Sequence, residues 1–203
     1  MNALIVHAHE NPESFCSALA YTAREELNKR GYNAEISDLY GLGFDAVGSK
    51  RDFKQLSDRA YYKYPMEQFH ASQNDCFESS LQSEMTKLMN ADLLIFNFPL
   101  WWYSVPAILK GWIDRVMAYG VAYGAGTEGR FNGKRAFMAV TTGSTFSADD
   151  KPIDDVLNHI SEGVLGYVGF DVLPTFIGYG VSRITQDQRL EILEAYRRVL
   201  QQV

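Results

Sequence analysis

Three short stretches carry the residue types that could do chemistry, and each follows an aliphatic run. HENPESF (residues 9–15) sets His9, Ser14 and Phe15, with Ser17 close behind, ahead of a helical pattern; PLWWY (residues 99–103) crowds Pro99, Leu100, Trp101, Trp102 and Tyr103 together; TTGST (residues 141–145) offers Thr141, Thr142, Gly143 and Ser144. A strand, a polar loop and a helix amino terminus in succession can receive a phosphate, because unpaired backbone N–H groups and the helix dipole converge on the anion. On that reading Ser14 and Ser17 add hydroxyl donors and His9 contacts a phosphate or a ribose. The same loop also serves as an ordinary α/β turn with a capping serine. It lacks both GxGxxG and GxxxxGK[ST], so neither of the common phosphate-loop fingerprints is present. PLWWY offers flat apolar surface for a planar ring. The N–H groups and hydroxyls of TTGST could satisfy that ring's polar edge, or else form a glycine turn with two capping threonines.

The elements that must position these stretches alternate along the chain. Residues 3–8, 33–39, 93–98 and 135–140 read as strands, and a short one is expected near 171–176. Helices are expected from about residue 15 to a Lys29-Arg30-Gly31 stop, over 77–90, after residue 106, over 153–167 and over 186–202. Ser104 and Pro106 read as the cap and first-turn residue of the helix carrying Ile108, Leu109, Trp112, Ile113 and Val116. This pattern predicts one α/β domain: a doubly wound, five-stranded parallel sheet with helices on both faces. Parallel strands put all three stretches on one rim, at the carboxyl ends, where open α/β sheets bind ligands.

Residues 44–77 form a long excursion that includes YYKYP. So many aromatics are expected to lie against a second subunit, burying Tyr61, Tyr62, Tyr64 and Phe69, rather than to form a floppy loop. The 203-residue chain has a net charge of −6 and no basic block, which argues against nucleic acid. No apolar run approaches a membrane span and no leader pattern occurs, so a cytoplasmic protein is expected. Cys16 and Cys76 make neither a disulfide framework nor a CxxC pair. Asp149, Asp150, Asp154 and Asp155 sit at a helix start, where carboxylates favour the dipole without a metal. No zinc spacing and no GxSxG elbow occur.

A phosphate seat, a wall for a ring and a donor set for its edge together describe a flavin or nucleotide site. The segments HxxxxSF at residues 9–15, SDLY at 37–40, FNFPLWWYSVPAILKGWIDRV at 96–116, TTG at 141–143, and GF with VLP at 169–174 resemble the NAD(P)H quinone oxidoreductase family, of flavodoxin-like fold. The resemblance spans nearly the whole chain. It implies a homodimer that holds FAD, with FMN less favoured, and moves hydride from NAD(P)H to the flavin and then two electrons to a quinone by ping-pong turnover. It implies His9, Ser14, Phe15 and Ser17 near the phosphates, residues 99–103 and 141–144 near the ring system, and Tyr123 near nicotinamide or quinone. It further implies that N–H groups of Trp102, Tyr103 or Gly143 stabilise charge on the reduced ring, which makes Tyr103, Gly143 and Tyr123 the catalytic candidates.

The chain also departs from the best-known branch of that family. Residues 144–155 contain neither Tyr nor His where a charge-buffering pair is expected, and His159 falls deeper in its helix, in a structural role. Trp101 replaces a polar residue, and Ala125 stands where a second pocket Tyr is expected. Hydroxyls of Thr142, Ser144 or Tyr103, or water, would then take over the buffering. An azo or nitroaromatic acceptor, a flavin-sensitive regulatory subunit of a transporter, and an electron-transfer flavodoxin remain as alternatives.

Overall fold

The computed structural model describes residues 1–58, 60–124, 126, 129–145 and 152–203; Ala125, Asp149 and Asp150 lie outside the described residues. The strands are β1 (Asn2–His7), β2 (Asn33–Asp38), β3 (Leu93–Pro99), β4 (Arg135–Thr141), β5 (Asp171–Val172) and β6 (Phe176–Gly178). The helices are α1 (Phe15–Lys29), α2 (Tyr64–Asn74), α3 (Ser79–Asn90), α4 (Ala107–Val116), α5 (Ile153–Ile160) and α6 (Gln186–Leu200). The order β2-β1-β3-β4-β5 is parallel throughout, and β6 also pairs with β4. The expected five-stranded sheet is therefore present, with its fifth position split in two. Pro174 explains the split, since it has no N–H to give to the ladder.

Alternation along β1 and β3 sends consecutive side chains to opposite layers. Leu4, Val6, Leu94, Phe96 and Phe98 join Leu81, Met85, Leu109 and Trp112 in one core, under α3 and α4. Ala3, Ile5, Leu93 and Ile95 join Leu19, Leu27, Tyr196 and Leu200 in the other, under α1 and α6. Each fully buried Leu, Ile or Phe contributes about 1.5–3 kcal/mol, and β3, buried at every position, is the spine of the domain.

The 44–77 excursion packs closely onto its own protomer. It contains α2, and its Asp52, fully buried, is gripped by Arg115 of α4 through Nε at 3.1 Å and Nη2 at 2.9 Å. Tyr64 donates to the same carboxylate at 2.5 Å. Glu67 accepts the N–H and hydroxyl of Ser57, both at 2.7 Å, which fastens the preceding loop. Tyr62 and Tyr64 pack on the core and Phe69 meets Tyr119, so of the four rings only Tyr61 stands well out in solvent. The backbone of Ala46 runs so close to α4 that a Cβ on Gly111 would fall 2.2 Å from the Ala46 oxygen. Burying a charge is tolerable only with a partner, so the excursion and α4 are built as one unit.

Two local expectations are corrected. α4 begins at Ala107 behind Pro106, with no side-chain cap, and Ser104 belongs to the preceding turn. The helix expected over 153–167 is α5 followed by a wide turn of π-helical pattern at Ser161–Gly166.

Candidate active site

The first stretch leaves β1 and is shaped by its own side chains. Asn11 N–H donates to His9 Nδ1 at 3.0 Å, Glu13 N–H to Asn11 Oδ1 at 2.9 Å, and Ser14 N–H to the Asn11 carbonyl at 3.1 Å. Ser14 caps α1 by accepting the Ser17 N–H at 3.0 Å. The N–H groups of Phe15 and Cys16, in the first helical turn, have no backbone partner among the described residues, the arrangement that suits an anion. Because Nδ1 of His9 accepts, its hydrogen is on Nε2 in the neutral ring.

Ser17 is completely buried, and its hydroxyl donates inward to the Asn11 carbonyl at 2.9 Å. It touches His7 and Ser14 instead of facing the rim. In this conformation the Ser17 side chain shapes the loop.

The second stretch is a tight turn in which Trp101 and Ser104 exchange backbone hydrogen bonds of 3.1 and 3.0 Å. The central residues, Trp102 and Tyr103, have φ of 50° and 55°. This left-handed pair suits Asn-Gly, and holding L residues there costs about 1–2 kcal/mol each. The rings are nonetheless presented outward, Trp102 at 97% exposure and Tyr103 at 64%. Strain kept for the sake of exposed aromatic surface is a mark of a binding site. His9 lies 6.5 Å from Trp101, ring to ring, which joins the first stretch to the second.

His159 is placed beside the second stretch. It is exposed on α5, and its Nε2 lies 3.1 Å from Ser104 Oγ. Its Nδ1 faces the Val156 carbonyl at 3.0 Å, so Nδ1 donates and Nε2 accepts the Ser104 hydroxyl. The ring braces the aromatic turn from the side.

In the third stretch the threonine hydroxyls are less available than expected. Thr142 is buried, donates to the Ser144 carbonyl at 2.6 Å and accepts the Gly180 N–H at 3.1 Å. Thr141 is buried beside Cys16, whose thiol is pushed up to about 12, first by burial. The side chains hold the turn, and the N–H groups of Gly143 and Ser144 are left without a partner among the described residues, as is that of Trp102.

These parts enclose two adjoining cavities. One, of about 550 Å³, lies between residues 99–103 and 141–144. The other, of about 490 Å³, lies between Glu13, Ser14 and Phe15 of the first stretch and Gln186 and Arg189 of α6. Both are bordered by His9, Thr141, Val181 and Ser182. The α6 residues escaped the sequence reading, because only the fold returns α6 to α1. A slightly larger hollow of about 590 Å³, by Asn2, Glu35 and Lys87, opens at the amino ends of the strands and has no aromatic wall.

Tyr123 is not brought to either cavity of its own protomer. It sits in a chain of rings with Tyr119 at 5.5 Å and Tyr167 at 6.4 Å, and burial is the leading cause raising its phenol pKa. Among the described residues no group of three His, Cys, Asp or Glu could hold a metal ion. Nor is any described helix long and apolar enough to cross a membrane.

Comparison with known proteins follows the same outline. A family model described as flavodoxin-like fold matches residues 1–203. NAD(P)H dehydrogenase [quinone] 1 of Cavia porcellus is 37% identical, over 99% of this chain and 76% of its own length. Ribosyldihydronicotinamide dehydrogenase [quinone] of Pongo abelii is 35% identical, over 98% and 90%. The solved structure of a provisionally named quinone reductase from Klebsiella pneumoniae is 35% identical, covers 99% of this chain and 84% of its own, and superposes with a TM-score of 0.92.

Proposed function

The chain belongs to the flavodoxin-like-fold family that includes the NAD(P)H:quinone oxidoreductases, and from that premise we propose that it is a flavin-dependent NAD(P)H:quinone oxidoreductase. The observation that carries the reading is the meeting, over one cavity, of a strained aromatic turn and unpaired N–H groups, continuous with the amino end of α1. A flavin fits this donor set. Rings at 101–103 offer stacking surface, amides of Trp102, Gly143 and Ser144 suit the carbonyl and nitrogen edge, and Phe15 and Cys16 amides with Ser14 suit phosphate. When bound, the flavin supplies a hydride acceptor that passes two electrons on to a quinone.

The protein's own part is placement. The aromatic turn excludes water from one face of the cavity and orients a planar partner for close approach. Amides of Trp102 and Gly143, fixed before reaction, stabilise negative charge at the polar edge without reorganising. Tyr103, 64% exposed on the same turn, would contact the incoming ring. The second cavity, with Gln186 and Arg189, favours FAD over FMN, since it gives room for an adenosine beyond the phosphates. The protein is further proposed to work as a homodimer, and Tyr123, which borders neither cavity of its own protomer, would then act as a nicotinamide or quinone contact only from the partner subunit.

Apoprotein titrated with FAD and FMN, then reduced anaerobically in stopped flow by NADH, NADPH or ribosyldihydronicotinamide and mixed with quinone or azo acceptors, tests the proposal. FAD bleaching by a dihydronicotinamide and reoxidation by quinone are expected. A protein that binds neither flavin overturns the reading, and reoxidation by azo dye alone overturns the quinone assignment.

A further inference from the structure

On the α1 side of the sheet, β1 and β3 do not end as they begin. After Ala3 and Ile5 comes His7, and after Leu93 and Ile95 comes Asn97; the two are register partners and almost completely buried. The Asn97 amide nitrogen donates to the Ala139 carbonyl at 3.4 Å, so Oδ1 faces His7 Nδ1, at 2.6 Å, and that nitrogen must carry a hydrogen. His7 Nε2 lies 3.0 Å from Ser17 Oγ.

Ser17 has one hydroxyl hydrogen and three acceptors around it, the bare Nε2 of a neutral ring, the Asn11 carbonyl at 2.9 Å and Ser14 Oγ at 2.9 Å. A neutral His7 takes that hydrogen and leaves the Asn11 contact unmade. A charged His7 donates to Ser17, Ser17 donates to Asn11, and the chain is complete. Ser14 Oγ, which accepts the Ser17 N–H and lies 2.9 Å from Ser17 Oγ, can then turn its hydrogen to the remaining Ser17 lone pair or to an anion at the helix end.

We propose that His7 is a positioning residue: an anionic phosphate at the amino end of α1 is bound together with a proton on His7, which turns the hydroxyls of Ser17 and Ser14 into the arrangement that holds it. The inference rests on the phosphate seat proposed above. Several groups act on the His7 ring. Burial lowers its pKa from 6.5, while Asn97 and Asp38 of β2 raise it and His9 of the loop lowers it; Cys16 of α1, its thiol at about 12, stays neutral. A phosphate adds negative charge on the side of the protonated ring. Because binding raises the pKa, affinity is greatest at low pH and declines as pH rises from the free-protein to the bound-protein midpoint, by up to about tenfold per unit.

The test is imidazole NMR titration of the protein, free and with FAD or riboflavin, together with FAD Kd against pH. FAD serves because its pyrophosphate keeps one charge over this range. His7 is distinguished from the other three histidines by spectra of His7→Gln, or of His9→Gln, His70→Gln and His159→Gln if His7→Gln does not fold. The expected result is a His7 midpoint raised by FAD and unmoved by riboflavin, and a pH slope of Kd retained in His9→Gln and lost in His7→Gln. A His7 midpoint unchanged by FAD overturns the proton linkage alone. Riboflavin binding as tightly as FMN at one pH overturns the phosphate seat beneath it.

Discussion

Replacing Trp102 by alanine and, separately, by glycine tests whether the aromatic turn stores strain for the site. Both variants lose the ring and they differ only in Cβ. With φ at 50°, an L residue pays about 1–2 kcal/mol that glycine escapes. Glycine loses about 0.5–1 kcal/mol to alanine in backbone entropy wherever both fit. The balance makes Trp102→Gly the more stable variant by about 0.5–1 kcal/mol, the reverse of the order at an ordinary position. Since Trp102 is 97% exposed in the protomer, neither change opens a core cavity. At about 2–4 °C per kcal/mol for a chain of this size, the two apoproteins should melt roughly 1–4 °C apart. Both should bind flavin more weakly, since a lost stacking wall worth about 1–2 kcal/mol is about 5- to 30-fold in Kd. Urea and thermal melts of the apoproteins read the first effect, and flavin fluorescence titration reads the second. Alanine equal to or above glycine in stability would refute the strain, and an unchanged Kd in both variants would refute the wall.

Two further outcomes follow from the frame around the site. Asp52→Asn leaves Arg115 buried without its counter-charge, which costs about 3–5 kcal/mol, so Tm should fall by about 6–20 °C; Asp52→Leu with Arg115→Met should recover most of it, and a double variant as unstable as the single one argues that the pair is more than a charge balance. Glu78 caps α3, and hydrogen bonds from Ser80 and Ser79 hold its carboxyl at about 2 instead of 4.5. A depressed carboxyl contributes stability above 4.5 that is lost as pH falls toward 2. The difference in urea midpoint between wild type and Glu78→Gln should therefore shrink over that range, and a constant difference would assign the cap no titrating role.

The strands and the three loops were legible because local pattern determines them. Leu93 to Phe98 has the length and composition of a buried strand, and parallel order then puts all three loops on one rim. What escaped depends on partners distant in sequence. Ser17 reads as an exposed helix-start hydroxyl until the fold sets His7 and Asn11 around it. The excursion's anchorage to its own protomer is equally hidden, because Arg115 lies 63 residues after the Asp52 whose charge it meets. Arg189 of α6 and Ser14 border one cavity though 175 positions apart, a proximity no local pattern encodes.

The His7–Asn97 pair is the instructive case, because its signal was present in the chain. Both strands are buried on both faces, so polarity cannot mark the face and a lone polar residue in an aliphatic run looks like noise. Counting by twos resolves it: Ala3, Ile5, His7 and Leu93, Ile95, Asn97 change from apolar to polar at the same register step on the same face. A buried imidazole and a buried amide at matched strand ends are costly apart and inexpensive together. Their coincidence therefore specifies a contact, and it lies directly beneath the loop for which the phosphate seat is proposed. If the linkage through Ser17 holds, the protonation of a buried strand end is coupled to cofactor binding through a hydroxyl that both the His7 ring and the capping Ser14 contact.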